Sequence, residues 1–459
     1  MRKSNNDSAL TTKWSHRRFI VGLTALAVSL ALQAQDYARL GERTIMGTAR
    51  YVGMGGAMTA IGADPSAVHD NPAGLGLYQR MEVLVGFDEM LDYTHQVNGV
   101  ETSHKRLFTL PHASWVLSIP NYHISGGKGI EYNNIMFSYH RLQSFTREMY
   151  AVAPNGDVSL GALLADAGLD LGIGYCKDPY SMENALRLNE SGYVGEYAFD
   201  WSMNISHQWY VGAGIHIQSY AMSADATYAE DHARVNKSKQ FYYIDNATSV
   251  IYNGVGCNLS AGVLYRPLWW LRIGFGLQTP TLGSLTTSTS GTLTAMTDSL
   301  AESYAPDLSG ADRDFHMPLH TSASVAFHLG HLGLLALQHD YLYSYKDAAV
   351  HSLRAGLEIV PVEGLYINLG YAYESPFRKA ELVVPMDPTF DRQDTYFQCL
   401  RSSQYASAGI GYRGTHIMVQ AAYQYRWQQI NWWAHEAAKP YDMRTDTHRI
   451  VLTLGWHRN

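Results

Sequence analysis

The sequence predicts an all-β fold, a transmembrane antiparallel β-barrel of about fourteen strands with an N-terminal hatch, or plug, inside its lumen. Three observations carry this reading. Charged residues are only 16% of the 459, aromatics are 12%, and Tyr alone counts 32. Soluble domains carry about a quarter charged residues. After the N-terminal region no run of roughly 20 apolar residues occurs, so helical membrane spans are excluded. From Met81 onward, apolar and polar residues alternate with a period of two, as in strands with two unlike faces.

The chain divides into three parts. Residues 1–34 read as a signal peptide that is cleaved on export. Arg2, Lys3, Lys13, Arg17 and Arg18 supply its basic start. Phe19 to Leu32 forms an apolar core of about 14 residues, too short to span a bilayer comfortably. Leu32-Gln33-Ala34 offers a cleavage site. Residues 35–80 are the hatch and residues 81–459 the barrel.

The alternation is clearest in four places. Over Gly364–Glu374, Leu365, Ile367, Leu369, Tyr371 and Tyr373 share one face. Over His416–Gln428, Ile417, Val419, Ala421, Tyr423, Tyr425 and Trp427 oppose Met418, Gln420, Ala422, Gln424, Arg426 and Gln428. Ile273 and Phe275 alternate with Arg272, Gly274 and Gly276; Ile215 and Ile217 alternate with Gly214 and His216. Apolar faces that end in Tyr or Trp suit a lipid surface with an aromatic girdle. The opposite faces are small and polar with isolated charges, as a crowded interior requires. On these faces Arg272, Arg354, Glu358, Arg426 and Arg449 are the expected lumen charges.

The connections alternate in length. Short turns fall at His207-Gln208, Arg266 to Trp269, Leu329 to His331, Pro361 to Glu363 and Arg413-Gly414. Long loops fall near 147–191, 225–247, 285–314, 379–401 and 431–444, and within the first of these Val158–Ala167 and Ser181–Leu188 look helical. Short turns on the inner side and long loops outside are the barrel pattern. An even strand count returns both ends to the inner side, so the segment before strand one can fold up into the bore.

That segment, Tyr51 to Leu77, is YVGMGGAMTAIGADPSAVHDNPAGLGL. Gly53, Gly55 and Gly56 permit close backbone approach, and two turn signals follow, Asp64-Pro65 and Asn71-Pro72-Ala73-Gly74. Asp64 either pairs with a lumen Arg or caps a turn. Asn71 holds a tight turn through side-chain-to-backbone bonds, with or without a gating role.

ARYVGMGGAMTAIGADPSAVHDNPAGL resembles the N-terminal hatch of the FadL/TodX family of outer-membrane transporters for long-chain fatty acids and other hydrophobic compounds. The resemblance rests on Gly53, Gly55 and Gly56, then Asp64, then Asn71-Pro72-Ala73; Arg272–Thr286 and Leu353–Pro376 also look like strands of this family. It implies passive uptake across the outer membrane. A hydrophobic ligand binds beneath the outer loops, the hatch shifts, and the ligand leaves sideways into the bilayer. Expected partners are that ligand, the lipid bilayer and lipopolysaccharide. An alternative is a barrel that does not transport but docks proteins, like the secretion accessory PorV, with a secretion-system partner. Another is a haem-binding receptor, since haem is hydrophobic and His can ligate iron.

No enzyme, cofactor or metal centre is expected. The loose GxGG of Gly53–Gly56 follows no strand and opens no βαβ unit, so it is not a dinucleotide fingerprint. His316/His320 and His328/His331 have metal-pair spacing only, and two ligands are a weak motif. Three widely spaced Cys, at 176, 257 and 399, read as incidental. A net charge of −7 without a basic stripe gives no reason to expect nucleic acid.

Overall fold

A computed structural model of the chain describes residues 40–97, 102–121, 129–152, 160, 182–232, 242–297, 301–304, 307–343, 349–376, 398–433 and 440–458. The expected signal peptide and most of Val158–Ala167 lie outside them. The described strands are β1 (Met81–Gln96), β2 (Thr102–Pro120), β3 (Ile130–Ser144), β4 (Arg147–Val152), β5 (Met182–Ile205) and β6 (Trp209–His232). They continue as β7 (Tyr242–Leu268), β8 (Leu271–Gln278), β9 (Leu282–Thr297), β10 (Ala301–Tyr304), β11 (Asp307–His316) and β12 (Leu319–His328). The last six are β13 (Gly333–Tyr343), β14 (Val350–Val362), β15 (Leu365–Glu374), β16 (Gln398–Arg413), β17 (Ile417–Trp432) and β18 (Tyr441–Arg458).

These segments form one closed antiparallel barrel of 14 strands. β3 and β4 are one traverse, because both pair with β5. β8 and β9 are one traverse along β7, and β10, β11 and β12 run back along them. Closure comes from β1 against β18, in register from Met81↔Arg458 to Gln96↔Met443. A closed wall leaves no unpaired strand edge to face lipid, where an unsatisfied backbone group costs several kcal/mol.

The side-chain alternation puts apolar residues outside. Ile367, Leu369, Tyr371 and Tyr373 are exposed on β15, while Asn368 and Ala372 are buried. Trp115, Phe137 and Phe199 lie ring beside ring outward across three neighbouring strands, the first pair stacked and the second tilted, with centroids 6.2 and 5.0 Å apart. Trp209 and Tyr265 stack 4.0 Å apart beside the short turns, where a girdle belongs. An unbroken apolar belt on a closed barrel is the surface of a membrane protein.

The turns follow from local chemistry. At the β5–β6 hairpin, Ser206 and His207 both take positive φ, at 55° and 56°. The Asn204 side chain supports them by accepting a 3.0 Å bond from the His207 N–H. The connection is a three-residue loop, 206–208, closing Ile205 against Trp209.

The opposite rim departs from expectation. The expected helix Ser181–Leu188 is strand over its described residues, 182–188: β5 begins at Met182 and carries Asn184, Leu186, Leu188 and Glu190 on its buried face. The expected loops 225–247 and 285–314 are largely strand as well, in β6, β7, β9 and β11. Their ladder runs to His232↔Tyr242, well beyond a bilayer's thickness. β5 and β6 have 24 residues and β7 has 27, against 10 in β15. At about 3.3 Å per residue, one side of the wall is some 80–90 Å along the strand and the other about 33 Å. Polar residues such as Thr and Asp hid these extensions, because a strand outside the bilayer needs no apolar outer face.

The core lies inside the barrel. Ile45, Tyr51, Met54, Met58 and Ile61 of the N-terminal segment pack with Ala326, Leu334, Ala336, Ala372 and Tyr405 of the wall. Val68, Leu75 and Tyr78 pack with Val116 and Met136, and Ala49 and Val52 with Ala422 and Val451. The segment thus touches inward-facing residues on opposite sides of the ring.

Candidate functional site

The N-terminal segment is a series of short capped turns. Thr48 caps the helix Ala49–Gly53, its side chain accepting from the Tyr51 N–H. Gly55 and Gly56 then reverse the chain with φ of +63° and +75°. A Cβ on Gly55 would come within 2.9 Å of the Tyr371 backbone, so both φ and space require glycine there. Asp64 caps the second helix, Pro65–Asp70, with Pro65 at its first position. Of the two roles open to Asp64, the cap is the one present: it accepts from the Ser66 N–H at 2.9 Å and from Thr48 Oγ1 at 2.9 and 2.8 Å. Burial raises its pKa, partly offset by attraction to Arg50 and by the Thr48 and Ser66 bonds.

Asn71 ends that helix and caps the 3-10 turn Pro72–Leu77. Its Oδ1 accepts from the Ala73 N–H at 3.1 Å, and its Nδ2 donates to the Thr59 and Val263 carbonyls at 3.0 and 3.3 Å. Val263 belongs to the wall, so one side chain joins the local turn, the earlier loop and the barrel. Ala73 is fully buried, its carbonyl accepting from Ser202 Oγ at 3.3 Å. The Gly74 carbonyl accepts from the Ala63 N–H at 3.1 Å.

All five wall charges named from the sequence meet this segment. Arg272 donates to the Ile61 carbonyl at 3.0 Å, and Arg449 to the Ile45 carbonyl at 2.8 Å. Arg426 pairs with Glu42 at 2.8 Å. Glu358 takes Arg50 in a two-pronged pair, at 2.7 and 2.9 Å. Arg354 donates to the Tyr51 hydroxyl at 3.0 Å and pairs with Asp340 at 2.9 Å, and its guanidinium lies 3.7 Å from Asp70. The Tyr51 hydroxyl in turn donates to Asp70 at 2.7 Å. Burial, with the nearby Asp70 charge, pushes the Tyr51 pKa well up, so it stays a donor.

Sequence reasoning missed the wall glycines that make room for the segment. A Cβ on Gly212 would strike Pro72, one on Gly262 would strike Asn71, and one on Gly274 would strike Thr59. Gly276, Gly356 and Gly370 face Asp70, Met54 and Gly55 in the same way. The available signal was the spacing Gly212/Gly214 and Gly274/Gly276, glycines two apart on one strand face.

Toward the high rim the interior becomes apolar. Phe145, Tyr220, Met222, Tyr252, Phe315 and Trp432 belong to one buried cluster above the segment. Leu400 packs against that cluster and also lines a cleft with Arg43, His320 and Arg401.

The wall has a discontinuity beside this space. The β2–β3 ladder runs from Pro120↔Tyr132 to His112↔His140 and stops. Beyond it β2 pairs with β1, while β4 pairs with β5. Pro111, next to the last rung, has no N–H to give. Among the described residues the two sides are then joined through side chains: Ser103 Oγ donates to the Glu148 carbonyl at 2.5 Å and Lys105 Nζ to Asn189 at 2.6 Å.

The architecture has solved counterparts. A crystal structure of a Pseudomonas aeruginosa FadL homologue matches over 91% of this chain and 99% of its own, with a TM-score of 0.55 and 12% identity. The chain has the FadL-type fold. The Pseudomonas putida toluene transporter TodX matches over 90% and 99% of the two chains, with a TM-score of 0.51 and 13% identity. A deltaS2S3 mutant of TodX, a monoaromatic hydrocarbon channel, gives 0.53 at 12% identity over 90% and 99%. No family model and no curated protein matches the sequence. The FadL-type likeness is therefore one of fold. Of the weaker metal pairs, His320 lies 4.0 Å from Asp340, and the His316 side chain is outside the described residues.

Proposed function

We propose that the chain is an outer-membrane channel for passive uptake of hydrophobic small molecules, with residues 40–78 as its hatch. What supports this is the N-terminal segment packed inside the barrel together with a break in the wall pairing. In this reading the segment plugs the lumen, while the β2–β3 ladder stops at His112↔His140, beside the apolar upper interior. A ligand taken in under the outer loops would rest on the apolar cluster, and movement of the hatch would let it leave sideways between β2 and β4. Exit into lipid is downhill, by about 0.8 kcal/mol for each CH₂ taken out of water.

A FadL homologue and the toluene transporter TodX are among the structural neighbours, which supports an apolar cargo. We favour a long-chain fatty-acid-like molecule. Arg43 and Arg401 are the cleft groups that would meet its carboxylate, beside the acids Glu42, Asp340 and Glu374, and Leu400 connects the cleft to the apolar cluster. Export would depend on cleavage of residues 1–34.

The test joins β2 to β4. Ser103→Cys with Glu148→Cys, bridged by a short bifunctional thiol reagent, is expected to abolish fluorescent fatty-acid uptake, and the unbridged double variant to retain it. Full uptake by the bridged protein would refute the sideways exit. Absence of uptake by the unmodified protein, with a stable co-purifying secretion partner, would refute transport altogether.

A further inference from the structure

A second cluster inside the barrel is not used by the hatch contacts above. His69, on the Pro65–Asp70 helix, meets Glu196 of β5 and His216 of β6, and all three are buried. His69 Nδ1 lies 2.6 Å from Glu196 Oε1, and His216 Nδ1 lies 3.2 Å from the same oxygen. One ligand atom from each residue falls within 4.8 Å of the other two.

The surroundings orient these groups as a metal site requires. His216 Nε2 lies 3.2 Å from Asp200 Oδ1 and 3.1 Å from Ser260 Oγ, so the ring donates there. Its Nδ1, aimed into the cluster, lies 3.2 Å from Glu196 Oε1 without good hydrogen-bond geometry, although the residue is wholly buried. A carboxylate holding one imidazole nitrogen while the other faces a cation is the usual outer shell of a metal-bound histidine. Arg43 lies 3.4 Å from His69 Nε2 and can only donate, which leaves Nδ1 as the nitrogen directed at Glu196. Glu196 Oε2 accepts from Gln218 at 2.8 Å, fixing the carboxylate. His140 stands 5.6 Å from His69, ring to ring, and its buried Nε2 has no hydrogen-bond partner. Next to it His112 is buried with both nitrogens lacking one.

We propose that His69, Glu196 and His216 bind a divalent transition-metal ion of the zinc class, with water or His140 in the fourth position. Two imidazoles and a carboxylate suit Zn²⁺, whose ligand atoms in a tetrahedron stand about 3.3 Å apart for bonds near 2.0–2.1 Å. The 3.2 Å from His216 Nδ1 to Glu196 Oε1 already matches, the 2.6 Å from His69 Nδ1 must widen by about 0.7 Å, and all three ligand atoms lie within 4.8 Å of one another. Binding at His69 Nδ1 moves that ring's proton to Nε2, from which Arg43 must turn away, and ties the helix before Asn71 to β5 and β6, beside the last β2–β3 rung. The site does not depend on the transport reading.

The test uses the full barrel in detergent, stripped with a chelator and titrated with Co²⁺ alone. One ion per chain with the visible absorption of a tetrahedral N/O site is expected, displaced by Zn²⁺. His69→Ala and His216→Ala should each abolish that band, while the barrel keeps its heat-dependent gel mobility. Asp200→Asn should weaken binding by about tenfold to a hundredfold. Lack of saturable binding, or the same spectrum in both folded His variants, would overturn the proposal.

Discussion

The Asn71 carboxamide occupies the space over Gly262 that any other residue there would fill with its Cβ. The strand glycine and the hatch asparagine are one fitted contact, 191 positions apart in the sequence. Gly262→Val should expel Asn71 and its three hydrogen bonds. At about 1 kcal/mol per bond, plus 1–3 for overpacking, hatch docking should weaken by roughly 4 kcal/mol or more. Protease cleavage within 40–78 would report this. Asn71→Gly combined with Gly262→Ala should recover more than the two single effects predict.

Arg50 and Glu358 join the helix Ala49–Gly53 to β14. Arg50 retains 16% side-chain exposure against 8% for Glu358. Glu358→Gln should therefore cost about 3 kcal/mol of docking, the low end for a buried ion pair losing one charge. A double-mutant cycle with Arg50→Gln, read as thermal release of the hatch, should give a coupling above 1 kcal/mol. A coupling near zero would mean that the pair holds nothing in place.

Asp64 should give the docking a definite pH slope. Burial raises its pKa in the docked state, so docking takes up a proton there. Its stabilising contribution is complete below the free carboxyl value, about 3.9, and is lost as pH rises through the docked value. Hatch protection should thus fall across that interval in the native protein relative to Asp64→Asn. The variant still accepts from Ser66 through its amide oxygen and should cost less than about 1 kcal/mol at neutral pH, whereas Asp64→Ala loses the cap, at about 1–2 kcal/mol.

The outer face makes a separate prediction. Leu337, at mid-strand on β13, is 51% exposed between Val325 and Ala355 of its neighbours. Leu337→Arg should destabilise the barrel by about 2–4 kcal/mol in urea titrations with lipid vesicles. Leu337→Ala should cost much less.

Strand count, lipid face and short turns were legible because lipid imposes one simple rule on every residue facing it. Ile367, Leu369 and Tyr371 obey it without help from their neighbours. The high rim was not legible, because β6 beyond Tyr220 is no longer selected for apolar exterior residues. Inside the bore, Arg354 and Glu358 stood out as charges on small-residue faces, but their partners Tyr51 and Arg50 lie about 300 positions away. The His69–Glu196–His216 cluster was hidden for the same reason: no local spacing links a helix in the lumen to two wall strands.

The seating of Ala49 has a consequence for the order of assembly. Its N–H donates to Thr453 Oγ1 at 2.8 Å, a contact between residues 404 positions apart. Ile45 reaches Arg449 across the same interval. These partners lie on the last strand, which is also the strand that closes the ring against β1. The segment made earlier therefore cannot adopt its final place until a strand made some 404 residues later has arrived. Until then its Gly- and Ala-rich turns lack part of the surface they fold upon, and an early segment is seated only when the ring closes.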